Sequence, residues 1–460
     1  MDTKSLKQKI LDLAIRGKLV PQNPNDEPAS VLLQRIRAER EQLIAQGKIK
    51  RSKTTSDNQH YENVPFEIPA SWEWVRLEDV VMAVTDGDHQ PPPQSAEGVP
   101  FLVISDVNTG RINFENARFV SKSYYDSLPY VRKATEGDIL FTVTGSYGIV
   151  INVDTQREFC FQRHIGLIKT ILCSRWLTMA LQSQYVKQYC DDIATGTAQK
   201  TVSLGFLRAL YIPIPPLAEQ VRIVSEIEQW FKCIKEIENE TIVLQDIVRQ
   251  AKSKILSLAI SGKLVTQDPN DEPAIDLLRR INPAFNPCDT SHYENLPQGW
   301  TISTVGEVAT YINGRAFKPS EWEQNGLPII RIQNLNDSDA PYNYSSATYE
   351  TKYLVKDGDL LFAWAASLGT YIWNGGNAWL NQHIFKVEPK EFIDKYFLYY
   401  SLVNLIAEFY RQTHGSGMVH ITKGKFENTP ILIPPLAEQK RIVVVLEKIY
   451  YQLDKITAEL

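Results

Sequence analysis

Cysteine is scarce in this chain. Its five copies, at 160, 173, 190, 233 and 288, are odd in number and scattered, with no Cys-x-x-Cys pair. That pattern predicts neither a disulfide framework nor a zinc site, and suits a reducing compartment. Long apolar runs are missing too. No stretch approaches the ~18 uncharged residues of a membrane span, and the start, Met1-Asp-Thr-Lys-Ser-Leu-Lys7, carries no apolar signal core. A cytoplasmic location is expected. Nucleotide chemistry also lacks its usual signatures: there is no Gly-x-x-x-x-Gly-Lys-Ser/Thr loop and no Gly-x-Gly-x-x-Gly opening a helix. The seven histidines show no metal-ligand spacing. Asn282-Pro-Ala-Phe285 stands without a cofactor loop and is read as linker. No catalytic residue, metal ligand or bound cofactor is expected. The net charge of −5 excludes a uniformly basic nucleic-acid coat but leaves room for local basic patches.

What the chain does contain is itself, twice. Ile212-Pro-Ile-Pro-Pro-Leu-Ala-Glu-Gln220 returns as Ile431-Leu-Ile-Pro-Pro-Leu-Ala-Glu-Gln439, 219 positions later. Lys9-Ile-Leu-Asp-Leu-Ala-Ile-Arg-Gly-Lys-Leu-Val20 returns as Lys254-Ile-Leu-Ser-Leu-Ala-Ile-Ser-Gly-Lys-Leu-Val265, 245 positions later, and Pro24-Asn-Asp-Glu-Pro-Ala29 follows at the same offset. A period this long is no solenoid, so each copy must hold a whole domain.

After the paired prolines, which suit a helix start, an apolar seam alternates steps of four and three: Ile223, Ile227, Trp230, Ile234, Ile237, Thr241, Leu244, Val248. This is coiled-coil spacing, ending near Gly262 as a cap. A helix of that reach is about 65 Å long at 1.5 Å per residue. The second copy repeats the phase through Ile442, Leu446, Ile449 and Leu453, then stops short. Its missing part stands at the N-terminus, where Leu6, Ile10 and Leu13 match Ala251, Ile255 and Leu258. The repeat is therefore circular. Since a short isolated helix is marginal, the N-terminal segment is expected to dock on the central helix, with the termini adjoining and the two helical elements antiparallel about a pseudo-two-fold axis.

Between the helices, short β-rich runs alternate with Gly, Asn and Asp turns, at Val99–Ile104, Asp138–Val143 and Ile165–Lys169 and again at Leu327–Ile332, Asp359–Trp364 and His383–Val387. One helix per interior is expected, near Ser174–Gln188 and Phe392–Tyr410. The fold class is α+β: two mixed domains separated by two long antiparallel coiled-coil helices in a circular repeat. The expected divisions are an N-terminal helix 1–20, a linker with a short helix 21–59, domains 60–215 and 292–434, a central helix 216–262, a linker 263–291 and a C-terminal helix 435–460. Basic residues within 48–58 are read as linker, and the matched His164 and His383 as structural.

The paired Ile-Pro-x-Pro-Pro-Leu-Ala-Glu-Gln and Ile-Leu-x-Leu-Ala-Ile-x-Gly-Lys-Leu-Val motifs, placed around two interiors, resemble the specificity subunit of type I restriction–modification systems over essentially the whole chain. The resemblance implies two target recognition domains, each reading half of a split double-stranded DNA site, on a helical spacer that also docks two modification (methyltransferase) subunits. It implies restriction (translocase/nuclease) subunits as further partners, with S-adenosylmethionine, ATP and Mg2+ used on those partners and not on this chain. A near-symmetric frame carrying unlike readers implies an asymmetric bipartite target with half-sites about one helical turn apart.

Candidate DNA contacts fall on three matched places. The loop 196–203 offers Gln199 and Lys200, and its counterpart 415–422 offers His420. The loop 86–90 is matched by 313–318, with Arg315 and Lys318. The strand end at Ser105 and Asp106 is matched by Arg331, Gln333 and Asn334, side chains suited to base edges. Two other readings fit the same residues: a coiled-coil adaptor that binds no DNA, and the recognition subunit of a fused methyltransferase–nuclease.

Overall fold

The structure is a computed structural model that describes residues 2–49, 64–196, 200–287, 296–337, 339–412 and 420–460. The expected linker at 48–58 lies almost wholly outside the described residues. The chain forms two compact units, Met1–Glu240 and Thr241–Leu460. A single helix, Leu217–Ile260, contributes its first half to one unit and its second half to the other. Among the described residues no helix is long and apolar enough to cross a membrane.

In the first unit, an antiparallel sheet orders Val81–Asp86, Ile165–Thr170, Ile139–Thr142 and Val150–Asn152. Successive residues of a strand face opposite sides, and both sides of this sheet are covered. Phe141 and Ile168 face a core containing Trp176 and Leu177 of the helix Ser174–Leu181. Leu140 and Leu167 face a second core with Leu102 and Phe161. Those two belong to a second sheet, ordered Gln94–Ser95, Arg118–Val120, Val99–Leu102, Cys160–Phe161, with the last pair parallel. The layers run helix, sheet, sheet.

The second unit repeats the plan, with Ala309–Asn313, Ile384–Pro389, Leu360–Ala363 and Gly369–Ile372 in the main sheet. Its second sheet, Asn343–Ser345, Leu327–Ile330, Ala378–Leu380, Leu354–Val355, keeps the parallel pair but adds its fourth strand beside Ala378–Leu380, whereas in the first unit Gln94–Ser95 is added at the opposite edge, beside Arg118–Val120. In each unit an opening strand pairs antiparallel with a closing one, Glu73–Arg76 with Tyr211–Ile214 and Thr301–Thr304 with Pro430–Ile433. The expectation of one helix per interior fails in both units, since short helices such as Lys423–Glu427 accompany the long one in the second, and it fails further in the first unit. Its helical segment breaks into Ser174–Leu181 and Gln184–Ile193 because Ser183 turns its hydroxyl to cap the second helix. The second unit has the unbroken helix Lys395–Gln412.

The N-terminal helix Thr3–Ile15 runs antiparallel along the first half of the central helix, since Lys7 pairs with Glu238 at 2.8 Å while Gln22 reaches Glu219. Ile10, Leu11, Ala14 and Ile15 share a core with Ile223, Ile227 and Ile234, each fully buried side chain contributing roughly 1.5–3 kcal/mol. In the second unit Leu436–Ala458 runs antiparallel to the second half: Arg441 meets Asp271 and the Tyr450 hydroxyl donates to the Lys252 carbonyl. The expected heptad seam holds only in part. Ile223, Ile227, Ile234, Val248, Ile442 and Leu446 are buried and Leu244, Ile449 and Leu453 half-buried, but Trp230 and Ile237 are 46% and 39% exposed. Against a globular domain the helix buries a face of 3.6-residue period, which drifts from a 3.5 repeat. Phe231 packs on the core in place of Trp230, whose indole N–H donates to Glu226 on the surface.

The repeated motifs meet in one buried contact per unit. The Glu219 carboxylate, 1% exposed, accepts from the Trp72 indole at 2.9 Å and from the Gln22 amide. Glu438 does the same with Trp300 at 3.0 Å and Gln267 at 3.1 Å. Arg222 and Arg441, one turn on, pair with Asp26 and Asp271. Gly17 and Gly262 end their helices in the left-handed region, with Lys18 N–H and Lys263 N–H bonded back to Leu13 and Leu258. A Cβ on either would meet Pro69 or Pro297 at 2.3 or 2.5 Å, so the turn lies flush on the domain's opening segment.

Replacing Glu219 or Glu438 with Ala leaves the buried indole N–H of Trp72 or Trp300 unpaired. Denaturant unfolding is expected to show a loss of roughly 1–3 kcal/mol in the affected unit. Burial pushes both carboxyls above the ordinary carboxylate range, opposed by the hydrogen bonds they accept. A raised folded pKa means the native state holds the proton more tightly, so this contribution is full below the unfolded value and declines as pH rises through the folded one. The stability of the wild type relative to Glu219→Gln should fall as pH rises from about 4.3 upward; a rise would contradict this assignment.

Candidate nucleic-acid interface

In each unit one tight turn gathers the candidate loops. In the first it is Gln162-Arg163-His164, between the strands Cys160–Phe161 and Ile165–Thr170. The loop after Val81–Asp86 is fastened to it on both sides: Asp88 N–H donates to the Phe161 carbonyl at 2.9 Å, and Arg163 N–H to the Asp88 carbonyl at 3.0 Å. Gln162 N–H donates to the carbonyl of Leu102, where the parallel strand ends. Val143 N–H donates to the His164 carbonyl, and Val202 N–H to the Val143 carbonyl. Thr201 pairs with both Thr144 and Thr195, and Gly145 N–H donates to the Lys200 carbonyl. Gly87 is required here because a Cβ would stand 1.8 Å from the Phe161 carbonyl oxygen.

The second unit uses Asn381-Gln382-His383 in the same way. Arg315 N–H donates to Leu380, Gln382 N–H to Arg315, Asn381 N–H to Ile330, Trp364 N–H to His383 and Ile421 N–H to Trp364. His420 bridges Ala365 as Thr201 bridges Thr144. Gly314 lies against the Asn381 carbonyl, where a Cβ would be 2.0 Å away. All three sequence-matched places thus converge on one edge of each domain.

The side chains differ in their availability. Lys200, Lys318, Gln333 and His420 are exposed. Gln199 lies outside the described residues. Arg315 is half-buried, donating to Glu321 at 2.6 Å with its guanidinium over Phe317 and Tyr349 at 4.8 and 4.4 Å. Arg331 donates to the Pro341 carbonyl and lies over Trp322. The supposed strand end is a helical turn, Ile332–Asn336, matched by Ile104–Asp106. Asn334 is buried, accepting from Arg331 N–H and donating to the Ala340 and Pro341 carbonyls; Asp106 caps Val103 N–H in the same manner. These caps hold the turn and leave Gln333 outward.

The loops also carry unlike charge. In the first unit Asp86 pairs with His89, and Asp88 with Arg132. The second places Arg315 where the first has Asp88, with Glu321 as its partner. Burial and the neighbouring Arg163 push the His164 imidazole below its ordinary range. As a neutral ring it accepts from Arg163 Nε at 3.3 Å. His383, in the left-handed region at φ 74°, stacks edge-on against Trp364, whose indole donates to Asn313. Both histidines are structural supports of the turn. The exposed tips, Arg163 and Gln382, were not singled out from sequence; the signal was the shared x-x-His-Ile frame at the 219 offset, with unlike residues before the histidine. Among the described residues no group of His, Cys, Asp and Glu is arranged to hold a metal ion.

Comparison with known proteins agrees with this geometry. Residues 69–245 and 297–460 match the family described as "Type I restriction modification DNA specificity domain". The chain is 28% identical to the type I restriction enzyme EcoAI specificity subunit of Escherichia coli, over 98% of this chain and 90% of that one. It is 27% identical to the EcoEI specificity subunit of the same organism, over 99% and 90%. Among solved structures, a chain from a study of assembly and conformational transition of the type I R-M system aligns with a TM-score of 0.63 at 21% identity, covering 86% of this chain and 94% of that one. The HsdS subunit of Thermoanaerobacter tengcongensis aligns at 0.50 and 22%, over 86% and 93%, showing the same fold. The two matched domains and the helix between them place this chain in the family of type I restriction–modification specificity subunits, the DNA-recognising component of those systems.

Proposed function

We propose that this chain reads an asymmetric, bipartite double-stranded DNA target, one half with each domain, while its helices dock the methyltransferase subunits. The observation that carries the reading is the turn built twice on one backbone plan with different side chains around it. A repeated scaffold with unlike readers suits two different half-sites better than a palindrome. Base readout needs rigidly placed polar side chains in the major groove, and each turn is fixed by backbone hydrogen bonds from several segments. Methyl transfer, cleavage and translocation, with S-adenosylmethionine, ATP and Mg2+, then belong to the partner subunits, and this chain acts without catalysis.

For docking, the C-terminal helix offers Val444, 65% exposed, at a groove of about 560 Å³ lined by Leu264, Val265 and Val445. Exposed apolar surface of this kind marks protein contacts.

Exchanging residues 66–210 for the first domain of another family member, in a strain with an active modification partner, should change one half of the methylated motif and leave the other intact. Methylome sequencing reads the result, and loss of both halves would contradict the two-reader arrangement. Val444→Asp should reduce co-purification of the methyltransferase subunit at least tenfold while binding of the purified chain to duplex DNA stays unchanged.

A further inference from the structure

We infer that Arg163 and Gln382, the tips of the two matched turns, are specificity-determining residues, Arg163 reading a guanine in one half-site and Gln382 an adenine in the other. The inference rests on the two-reader function above and names what each reader recognises.

Four observations converge on it. Both residues occupy the same position, 219 apart, immediately before the matched histidines and isoleucines, His164-Ile165 and His383-Ile384. Both are exposed, although the residues on either side are half-buried. Both are pinned at the backbone by the same pair of interactions: the tip N–H donates to the loop carbonyl, 3.0 Å to Asp88 and 2.8 Å to Arg315, while that loop residue's own N–H donates back across the turn, to Phe161 or Leu380. Finally, the segments around Asp88, Leu102 and Val143, and around Arg315, Ile330 and Trp364, are hydrogen-bonded to the turns that carry these tips.

The chemistry of the two side chains then distinguishes the bases. A guanidinium presents two parallel donors to O6 and N7 of guanine, whereas a carboxamide offers one donor and one acceptor, matching N7 and N6 of adenine. Arg163 is also pre-aligned. Its Nε is occupied by His164 Nε2 at 3.3 Å, so the two terminal nitrogens of the fork remain for the base. A constant backbone frame with a different side chain at the tip is what a specificity determinant requires.

The test uses the complete chain with its modification partner. The wild-type motif is first read by methylome sequencing. Binding of the purified complex is then measured to duplexes in which each base pair of each half-motif is replaced in turn. For the wild type, replacing the read pair should weaken binding roughly 5- to 150-fold. In Arg163→Ala that penalty should collapse toward one at a single G·C pair of one half, with the others retained. Gln382→Ala should do the same at a single A·T pair of the other half. The exchanges Arg163→Gln and Gln382→Arg, which keep long polar side chains at exposed tips, should move the preference from guanine to adenine and the reverse; unchanged melting curves confirm folding.

Penalties that stay in place at every pair in folded exchange variants overturn the inference while leaving the two-reader function standing. So does uniform weakening on all duplexes with a salt slope reduced by about one, the signature of a phosphate contact. A wild-type motif that is not split overturns the two-reader function and this inference together.

Discussion

A buried carboxylate in each half is the contact on which the rest of this protein depends. Glu219 and Glu438 stand in the first turn of a long helix, yet their partners come from remote segments: an indole from the domain's opening, Trp72 or Trp300, and an amide from the linker past the preceding helix, Gln22 or Gln267. Burying a carboxylate is costly unless its oxygens are hydrogen-bonded. The three segments therefore come together or the charge is stranded. This all-or-none character aligns each domain with its helix, and the outer pairs of Arg222 with Asp26 and Arg441 with Asp271 close the same knot from the solvent side. The two knots differ in one respect. Gln439 spends its whole amide on Phe392, Pro434 and Asp394, whereas Gln220 uses only its nitrogen, donating to Pro215.

From that anchor the edge where the candidate loops gather follows by backbone geometry. The main sheet is covered on both faces, so its strands cannot shift register without moving whole apolar sets to the wrong side. Its central strand begins just after His164 or His383, which fixes where the tight turn falls. The loops are stitched to that turn by main-chain hydrogen bonds, and their side chains are thereby free to differ. This division explains how Asp88 can stand where the other half has Arg315 while the N–H of each bonds across the same turn.

Much of this was legible in the sequence because repetition exposes function twice. The strand runs in both interiors, the capping role of Gly262 and the matching of Thr201 with His420 all follow from pattern and offset, and the structure realises each of them. The seam was legible only in part. A heptad pattern assumes a partner helix along its whole length, but where a globular domain supplies the partner, Phe231 turns inward and Trp230 outward. Asn334 read as a base-contacting side chain from its chemistry alone; folded, its amide is consumed by three backbone groups. Local composition does not reveal which polar residues the backbone will claim.

The sequence by itself determined the duplication, the circular order of the repeated helical segments and the family. Each is a matter of order and spacing along the chain. Only the tertiary structure decided that three separate loops share one edge and that Glu219 and Glu438 are the knots. It also decided that Arg163 and Gln382, inconspicuous in the chain, stand exposed on the matched turn of each domain. The physical reason is that these properties arise from hydrogen bonds between segments far apart in sequence, whose partners exist only once both sheets have closed on their cores.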